Sequence, residues 1–131
     1  RHQQQSALKV ARWLEKRPEV LRVLYPALES DPGHAIWKRD FSGAASLFGV
    51  ILRPVEWKAV GAMLDTLELF GIGSSWGGYE SLAIRADIKA YRTATKWNPG
   101  GPLIRLHIGL EDPDDLSADL ERGLARLKAS A

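Results

Sequence analysis

A strand arginine is one of two features of this sequence that are suited to chemistry. Arg105 stands in the run 104–108, where apolar residues alternate with polar ones as in a β-strand with one buried face. A strand holds an arginine rigidly, and the planar guanidinium can bind a carboxylate or a phosphate through two hydrogen bonds. Periodicity alone favours a simpler interpretation, in which Arg105 is a surface cation on an open sheet face.

The second feature is a glycine-rich segment, residues 74–81, called the Trp76 loop below. Its paired glycines, Gly77 and Gly78, permit a close approach of backbone to a ligand. Its serines offer hydrogen-bond donors, and Trp76 could form an apolar wall. Composition alone again favours a plainer alternative, a glycine turn with a packed tryptophan.

Several other kinds of site are not supported. The three histidines, His2, His34 and His107, are scattered and have no acidic partner at ligand spacing, so we expect no metal site. No nucleotide-binding glycine motif follows a strand. The acidic run 111–115 could suggest a cation site, but Asp112 followed by proline is typical of a helix start.

Composition limits the class of protein. The chain has 131 residues, 45% of them hydrophobic and 26% charged, which is typical of one globular domain. The net charge of +2 does not indicate a nucleic-acid surface. The absence of cysteine excludes disulfides, thiolate metal sites and a cysteine nucleophile. No apolar run approaches the roughly 18 residues of a membrane span. Because the chain starts at Arg1, we expect it to begin inside a longer protein.

Periodicity and turn signals predict helices and strands in alternation. The predicted helices cover residues 6–14, a short segment through Ile36 and Trp37 after the turn 31–33, a segment with Pro54 in its first turn, and the segment capped by Asp112. The predicted strands cover residues 20–24, 46–52, 81–84 and 104–108, and residues 85–101 are predicted to be irregular.

The connections after Leu69 are too short for repeated parallel crossovers, so we expect mainly antiparallel strands there. The predicted fold class is α+β, a single two-layer sandwich over residues 1–131 with helices on one face of a small sheet. The other face would carry Arg105 and His107. We expect that face to be solvated or covered by something outside this chain.

The segments together resemble the C-terminal domain of the cystathionine β-lyases, which belong to the pyridoxal-phosphate (PLP) enzymes of cysteine and methionine metabolism and have the aspartate-aminotransferase type of fold. The resemblance begins in the helix 6–14 and continues through 25–28 and 37–41. It is strongest at 69–82, LFGIGSSWGGYESL, and at 104–112, IRLHIGLED. Both motifs occur in the family's order within one short chain.

The resemblance implies three substrate-binding residues. Arg105 would bind the substrate α-carboxylate, Ser75 would lie beside that carboxylate, and Trp76 would form part of the pocket wall. Related γ-synthases and γ-lyases usually carry leucine where Trp76 stands, which favours the β-lyase subgroup. The sequence departs from the family at Ser74, where many β-lyases have tyrosine, and this could alter the rim of the pocket.

The implied reaction is β-elimination, in which a carbon–sulfur lyase converts cystathionine to homocysteine, pyruvate and ammonia. It belongs to transsulfuration and methionine biosynthesis in the cytoplasm. By the resemblance, the PLP-binding domain and its Schiff-base lysine lie upstream of Arg1. We therefore expect this chain alone to be inactive, with no catalytic, cofactor-binding or metal-binding residue of its own. Thr93–Lys96 resembles the family's lysine motif only superficially, because it follows the Trp76 loop.

The expected partners are a small amino-acid substrate, the upstream PLP domain and further copies of the parent enzyme in a homo-oligomer. No nucleic acid and no membrane is expected among them. Two alternatives remain open at this point. One is the same domain of a γ-synthase or γ-lyase, and the other is a non-catalytic α+β binding or interaction module. The preferred sulfur substrate is also open.

Overall fold

The computed structural model describes residues 1–131 apart from the side chain at position 90, and over these residues it has four α-helices and five strands. In chain order the elements are α1 (His2–Leu14), β1 (Val20–Leu24), α2 (His34–Asp40), β2 (Leu47–Leu52), α3 (Trp57–Thr66), β3 (Gly71–Ile72), β4 (Leu82–Ala86), β5 (Leu103–His107) and α4 (Pro113–Ala129), with a 3-10 turn at Lys89–Tyr91.

The five strands form one sheet in the order β1-β2-β5-β4-β3. β5 is the central strand and pairs antiparallel with both β2 and β4, so that Arg105 lies opposite Gly49 on one side and Ile84 on the other. β1 is antiparallel to β2, whereas the two-residue β3 is parallel to β4. The prediction of a mainly antiparallel sheet is confirmed, and β3 is the strand that it missed.

The core lies between one face of the sheet and the helices α1, α3 and α4. Alternate residues of β5, Ile104 and Leu106, face these helices and are fully buried together with Val50 of β2 and Leu120 of α4. Burial of this kind stabilises the sheet by roughly 25 cal/mol for each Å² of apolar surface removed from water. The predicted α+β class with helices on one face is confirmed, and β5 is held firmly at the centre.

The opposite face of the sheet is partly covered by other residues of the chain. Arg105 is half-buried, and His107, two residues further along the same face, is only 3% exposed. The prediction that this face is solvated or covered from outside the chain is wrong for His107, because the Trp76 loop folds back over it. Ile51 and Leu103 are also buried on this face, each beside a cavity that Trp97 and Pro99 line.

The starts of two helices differ from the predicted ones, because polar residues precede the apolar stripe of α1 and a proline precedes α3. α1 begins at His2 rather than Ser6, and α3 begins at Trp57, three residues after Pro54. The predicted start of α4 is confirmed, since the Asp112 carboxylate accepts a hydrogen bond of 2.8 Å from the Asp114 N–H. Within the part of the chain that the structure describes, no helix is long and apolar enough to cross a bilayer.

Candidate functional site

The site is built around Arg105 in the middle of β5. Its neighbours Ile104 and Leu106 are buried in the core, so the strand cannot turn and the arginine must lie on the other face. There Nη2 of Arg105 donates a hydrogen bond to the backbone carbonyl oxygen of Ser74, at the start of the Trp76 loop. Among the described residues the guanidinium has no carboxylate partner. It is a positive charge with N–H groups to spare.

Trp76 lies directly against that charge. The Cζ atom of Arg105 is 4.9 Å from the centre of the Trp76 ring, within the range of a cation–π interaction. Trp76 is nevertheless 60% exposed, so much of its surface is open to a ligand. The chain turns sharply after it because Gly77 has a φ of +89°, a left-handed conformation that favours glycine. The loop thus presents an indole and leaves room beside it.

Ser75 lies between these two contacts and is exposed. It lines a cavity of about 340 Å³ together with Trp76. The remaining lining residues are Gly73, Gly78, Tyr79, Glu80 and Leu82, all in or beside the Trp76 loop. Arg105 is outside this lining and adjoins the cavity through its contacts with Ser74 and Trp76. The structure therefore brings the three sequence-predicted residues into one neighbourhood.

A larger cavity of about 740 Å³ lies elsewhere, between residues 54–57 and 100–102 near the C-terminal Ala131. Glu56 is the charged side chain of its lining, so its described walls offer no cation to a carboxylate. We place the candidate site at the Trp76 loop instead, because a fixed guanidinium, a hydroxyl and an aromatic wall lie together there.

His107 is a residue of this site that the sequence analysis did not assign. Its Nε2 accepts a hydrogen bond of 3.0 Å from the Gly77 N–H, and its Nδ1 lies 2.9 Å from the Glu80 carbonyl oxygen. Both ring nitrogens are thus engaged with the Trp76 loop. The available signal was its spacing: His107 is two residues after Arg105, and alternation places both on one face.

Three further contacts fix the end of the loop. Nε2 of Gln3, in α1, donates to the Gly78 carbonyl oxygen at 3.0 Å, and the Leu110 N–H donates to the Tyr79 carbonyl oxygen at 2.9 Å. Glu111 accepts from the Ser81 N–H at 3.2 Å and from the Ser81 hydroxyl at 2.9 Å. Glu111 therefore anchors the loop, in addition to the helix start that the acidic run predicted.

The residues present do not fit PLP itself. A PLP enzyme needs a lysine for the Schiff base, and the cavity lining contains none. Residues 93–96, which resemble a lysine motif, are exposed, and Lys96 lines a different cavity with Trp97. Nor do the described residues contain a group of three histidine, aspartate or glutamate side chains that could hold a metal ion. What the arrangement can do is bind a small carboxylate and place an indole beside it.

Comparison with known proteins identifies the family to which the chain belongs. The sequence profile described as "Cys/Met metabolism PLP-dependent enzyme" matches residues 1–125. A cystathionine β-lyase of Salmonella typhimurium is 48% identical over 131 residues, which is 97% of this chain and 33% of that protein. An L-alanine/L-glutamate racemase of Wolbachia pipientis is 44% identical over 129 residues, 97% of this chain and 32% of that protein.

The fold also matches solved structures. A crystal structure of cystathionine γ-synthase from Xanthomonas oryzae, in complex with aminoacrylate and cysteine, superposes with a TM-score of 0.85 at 34% identity, covering 99% of this chain and 35% of that one. The chain spans about one third of the length of the curated relatives that it matches. Since the family profile covers nearly all of these residues, the chain belongs to the Cys/Met metabolism PLP-dependent enzyme family.

Proposed function

We propose that this chain is the C-terminal substrate-recognition domain of a PLP-dependent carbon–sulfur β-lyase that cleaves cystathionine. In this proposal Arg105 binds the α-carboxylate of the amino-acid substrate. The observation that carries it is the position of the guanidinium, which is fixed by a central strand and lies between the Ser74 carbonyl and the Trp76 ring. A cation held in this way loses little conformational entropy when a carboxylate binds.

The chemistry of each side chain supports its role. The guanidinium has five N–H groups, and one bond to Ser74 leaves enough of them for a bidentate contact with a carboxylate. The exposed Ser75 hydroxyl can donate to the same anion from the loop side. Trp76 offers an apolar surface against which the methylene and sulfur groups of cystathionine can pack.

The cofactor and its lysine would come from a PLP-binding domain that precedes these residues in the parent enzyme. We propose further that the parent is a cytoplasmic homo-oligomer of methionine biosynthesis. All three features follow from the family resemblance rather than from a contact in this chain. On this proposal residues 1–131 bind and orient substrate but have no lyase activity of their own.

A second candidate is amino-acid racemisation, since a racemase is nearly as similar to this chain as the β-lyase is. Both kinds of enzyme act on a free amino acid, and Arg105 could bind the carboxylate in either case. We favour the β-lyase because Trp76 provides a broad apolar wall, which a long sulfur-containing substrate can cover and an alanine cannot. The same residue argues against the γ-synthases and γ-lyases, which usually have leucine there.

The test uses the whole enzyme that contains this chain, loaded with PLP. Pyruvate release from cystathionine and racemisation of L-alanine are measured for the parent and for Arg105→Ala and Arg105→Lys. We expect cystathionine cleavage to predominate, and we expect kcat/KM for it to fall about 100-fold in Arg105→Ala, as a charged contact is lost. Arg105→Lys should recover part of the loss, because lysine keeps the charge but not the bidentate geometry.

Arg85→Ala is the matched control. Arg85 is also a strand arginine next to a tryptophan, with its Cζ 4.1 Å from the Trp57 ring, but it is on β4 and away from the Trp76 loop. It should change kcat/KM less than twofold, in line with most exposed positions. Unchanged kcat/KM in Arg105→Ala would overturn the carboxylate role. Racemisation faster than pyruvate release would favour the second candidate.

A further inference from the structure

His107 is a buried polar residue whose two ring nitrogens both bind the backbone of one loop. It is 3% exposed, on the sheet face that carries Arg105, and it pairs with Leu47 of β2 and Leu82 of β4. Burial of an imidazole costs free energy unless its nitrogens are hydrogen-bonded. Here Gly77 and Glu80 of the Trp76 loop supply both partners.

The partners fix the tautomer of His107. The Gly77 N–H donates to Nε2, so Nε2 carries no hydrogen. The Glu80 carbonyl oxygen can only accept, so Nδ1, at 2.9 Å, carries the proton. His107 therefore accepts a hydrogen bond from Gly77 and donates one to Glu80. Neither bond is available to an apolar residue of similar size.

The hydrogen bonds that Arg105 and His107 make with the loop lie on either side of the two residues that would contact substrate. The loop is attached to β5 at Ser74 by Arg105 and at Gly77 by His107. Ser75 and Trp76 lie between these two attachments. Residues 105 and 107 of a strand are about 6.6 Å apart along its axis, so the two anchor points have a fixed separation. If the attachment at Gly77 were released, Ser75 and Trp76 could move away from the guanidinium.

We propose that His107 is a positioning residue for the substrate site. It acts through the Gly77 N–H to hold Ser75 and Trp76 against Arg105, and so it sets how well the substrate carboxylate and side chain are bound. This inference rests on the proposed function, because it takes Arg105 as the carboxylate-binding group. It assigns His107 no contact with substrate or cofactor, so removal of His107 should weaken binding rather than slow the chemical step.

Two substitutions separate the two hydrogen bonds. His107→Gln can place its amide oxygen near the site of Nε2 and still accept from Gly77, but its amide is too far along the side chain to replace Nδ1. His107→Asn can place its amide nitrogen near the site of Nδ1 and still donate to Glu80, but it does not reach Gly77. The pair therefore tests which attachment positions the site.

The first readout is steady-state kinetics with cystathionine in the PLP-loaded whole enzyme. We expect KM to rise about tenfold in His107→Asn, the effect of losing one buried hydrogen bond, while kcat stays within about twofold. In His107→Gln we expect KM to rise less than about threefold, since the Gly77 bond is kept. Equal values of KM in both variants and the parent would overturn the inference. A fall in kcat at constant KM would also overturn it.

The second readout is amide hydrogen exchange in the same enzymes without substrate. The Gly77 amide should exchange about tenfold faster in His107→Asn than in the parent, and at close to the parental rate in His107→Gln. The amide of Val50, in β2, reports whether the sheet stays intact and should not change. If His107→Asn fails to fold, His107→Gln alone tests the inference. The Gly77 amide must then exchange at close to the parental rate in His107→Gln, and KM must stay within about threefold of the parental value.

Failure of this inference differs from failure of the proposed function. If Arg105→Ala leaves kcat/KM unchanged, the carboxylate role is wrong whatever His107 does. If Arg105→Ala is impaired but His107→Asn keeps the parental KM, the positioning role alone is wrong. Faster Gly77 exchange with an unchanged KM would likewise show that His107 holds the loop without setting the site.

Discussion

The Cζ atom of Arg105 lies 4.9 Å from the centre of the Trp76 ring, so the candidate anion-binding group and the candidate pocket wall are in direct contact. The two residues are 29 positions apart in the sequence and lie on different elements, a central strand and an exposed loop. A half-buried guanidinium against an indole gains roughly 1 kcal/mol and loses freedom to move. A ligand that binds where these groups meet can therefore contact both.

Replacement of Trp76 tests this contact. In the PLP-loaded whole enzyme we expect Trp76→Ala to raise KM for cystathionine about fivefold, because the arginine loses its stacking partner and the substrate loses a wall. Trp76→Phe keeps an aromatic face and should raise KM less than about twofold. Tyr91→Ala removes an aromatic ring that is 83% exposed outside the site and serves as the control. Parental KM in Trp76→Ala would contradict the prediction.

The close approach at Gly109 predicts a second effect, on stability. A Cβ added at Gly109 would lie 2.2 Å from the Tyr79 carbonyl oxygen and 2.6 Å from the Glu80 carbonyl carbon, and backbone atoms cannot yield as a flexible side chain can. We expect Gly109→Ala to lower the free energy of unfolding by about 1–3 kcal/mol, measured by urea denaturation.

The matched control for that variant is in the loop itself. A Cβ added at Gly78 would meet nothing within 4 Å, so Gly78→Ala should change the free energy of unfolding by less than about 0.5 kcal/mol. If the two variants are equally stable, the Trp76 loop can move away from Gly109 without cost, and the tight packing inferred here is wrong.

The contrast between local and distant signals explains which features the sequence could predict. The alternation of residues 104–108 predicts β5, and Asp112 predicts the start of α4, because both patterns depend on near neighbours. Pro54 misled the prediction of α3, since a proline suits a bend as well as a first helical turn. The two-residue β3 has too few residues for any periodicity to appear.

Local sequence patterns predicted less of the candidate site. Arg105, Ser75 and Trp76 were selected through the family motifs, and the spacing of residues cannot show that the loop would meet the strand. The burial of His107 depends on backbone groups about 30 positions away, and the Gly78 carbonyl is bound by Gln3 of α1, 75 positions away. A sheet face looks polar in the sequence whether water or another part of the chain covers it.

A buried carboxylate gives a third prediction. Asp119 of α4 is fully buried and accepts hydrogen bonds of 2.8 to 3.3 Å from the backbone N–H groups of residues 68–70, just before β3, as well as one from Arg122. Asp119→Ala leaves these donors without an acceptor and should lower the free energy of unfolding by about 3 kcal/mol. Asp119→Asn keeps an amide oxygen and should lose less.

The control for Asp119 is Glu121→Ala, which removes an exposed acid from the same helix and should change stability by less than about 0.5 kcal/mol. Chemical denaturation measures all three variants. A loss below about 1 kcal/mol in Asp119→Ala would show that water replaces the carboxylate, and that the segment leading to the Trp76 loop does not depend on α4.

The last prediction concerns alkaline pH and Tyr25. Burial raises the pKa of Tyr25 from 10.0 to about 12, and its hydroxyl donates to the Ala45 carbonyl oxygen at 2.6 Å. Above pH 10 the unfolded chain releases this proton while the folded chain keeps it. The unfolded state then binds fewer protons, so stability falls as pH rises from 10 to 12. Tyr25→Phe removes this contribution, and its free energy of unfolding should fall less steeply between pH 10 and 12 than that of the parent. Parallel pH profiles for the two proteins would show that Tyr25 ionises normally in the fold.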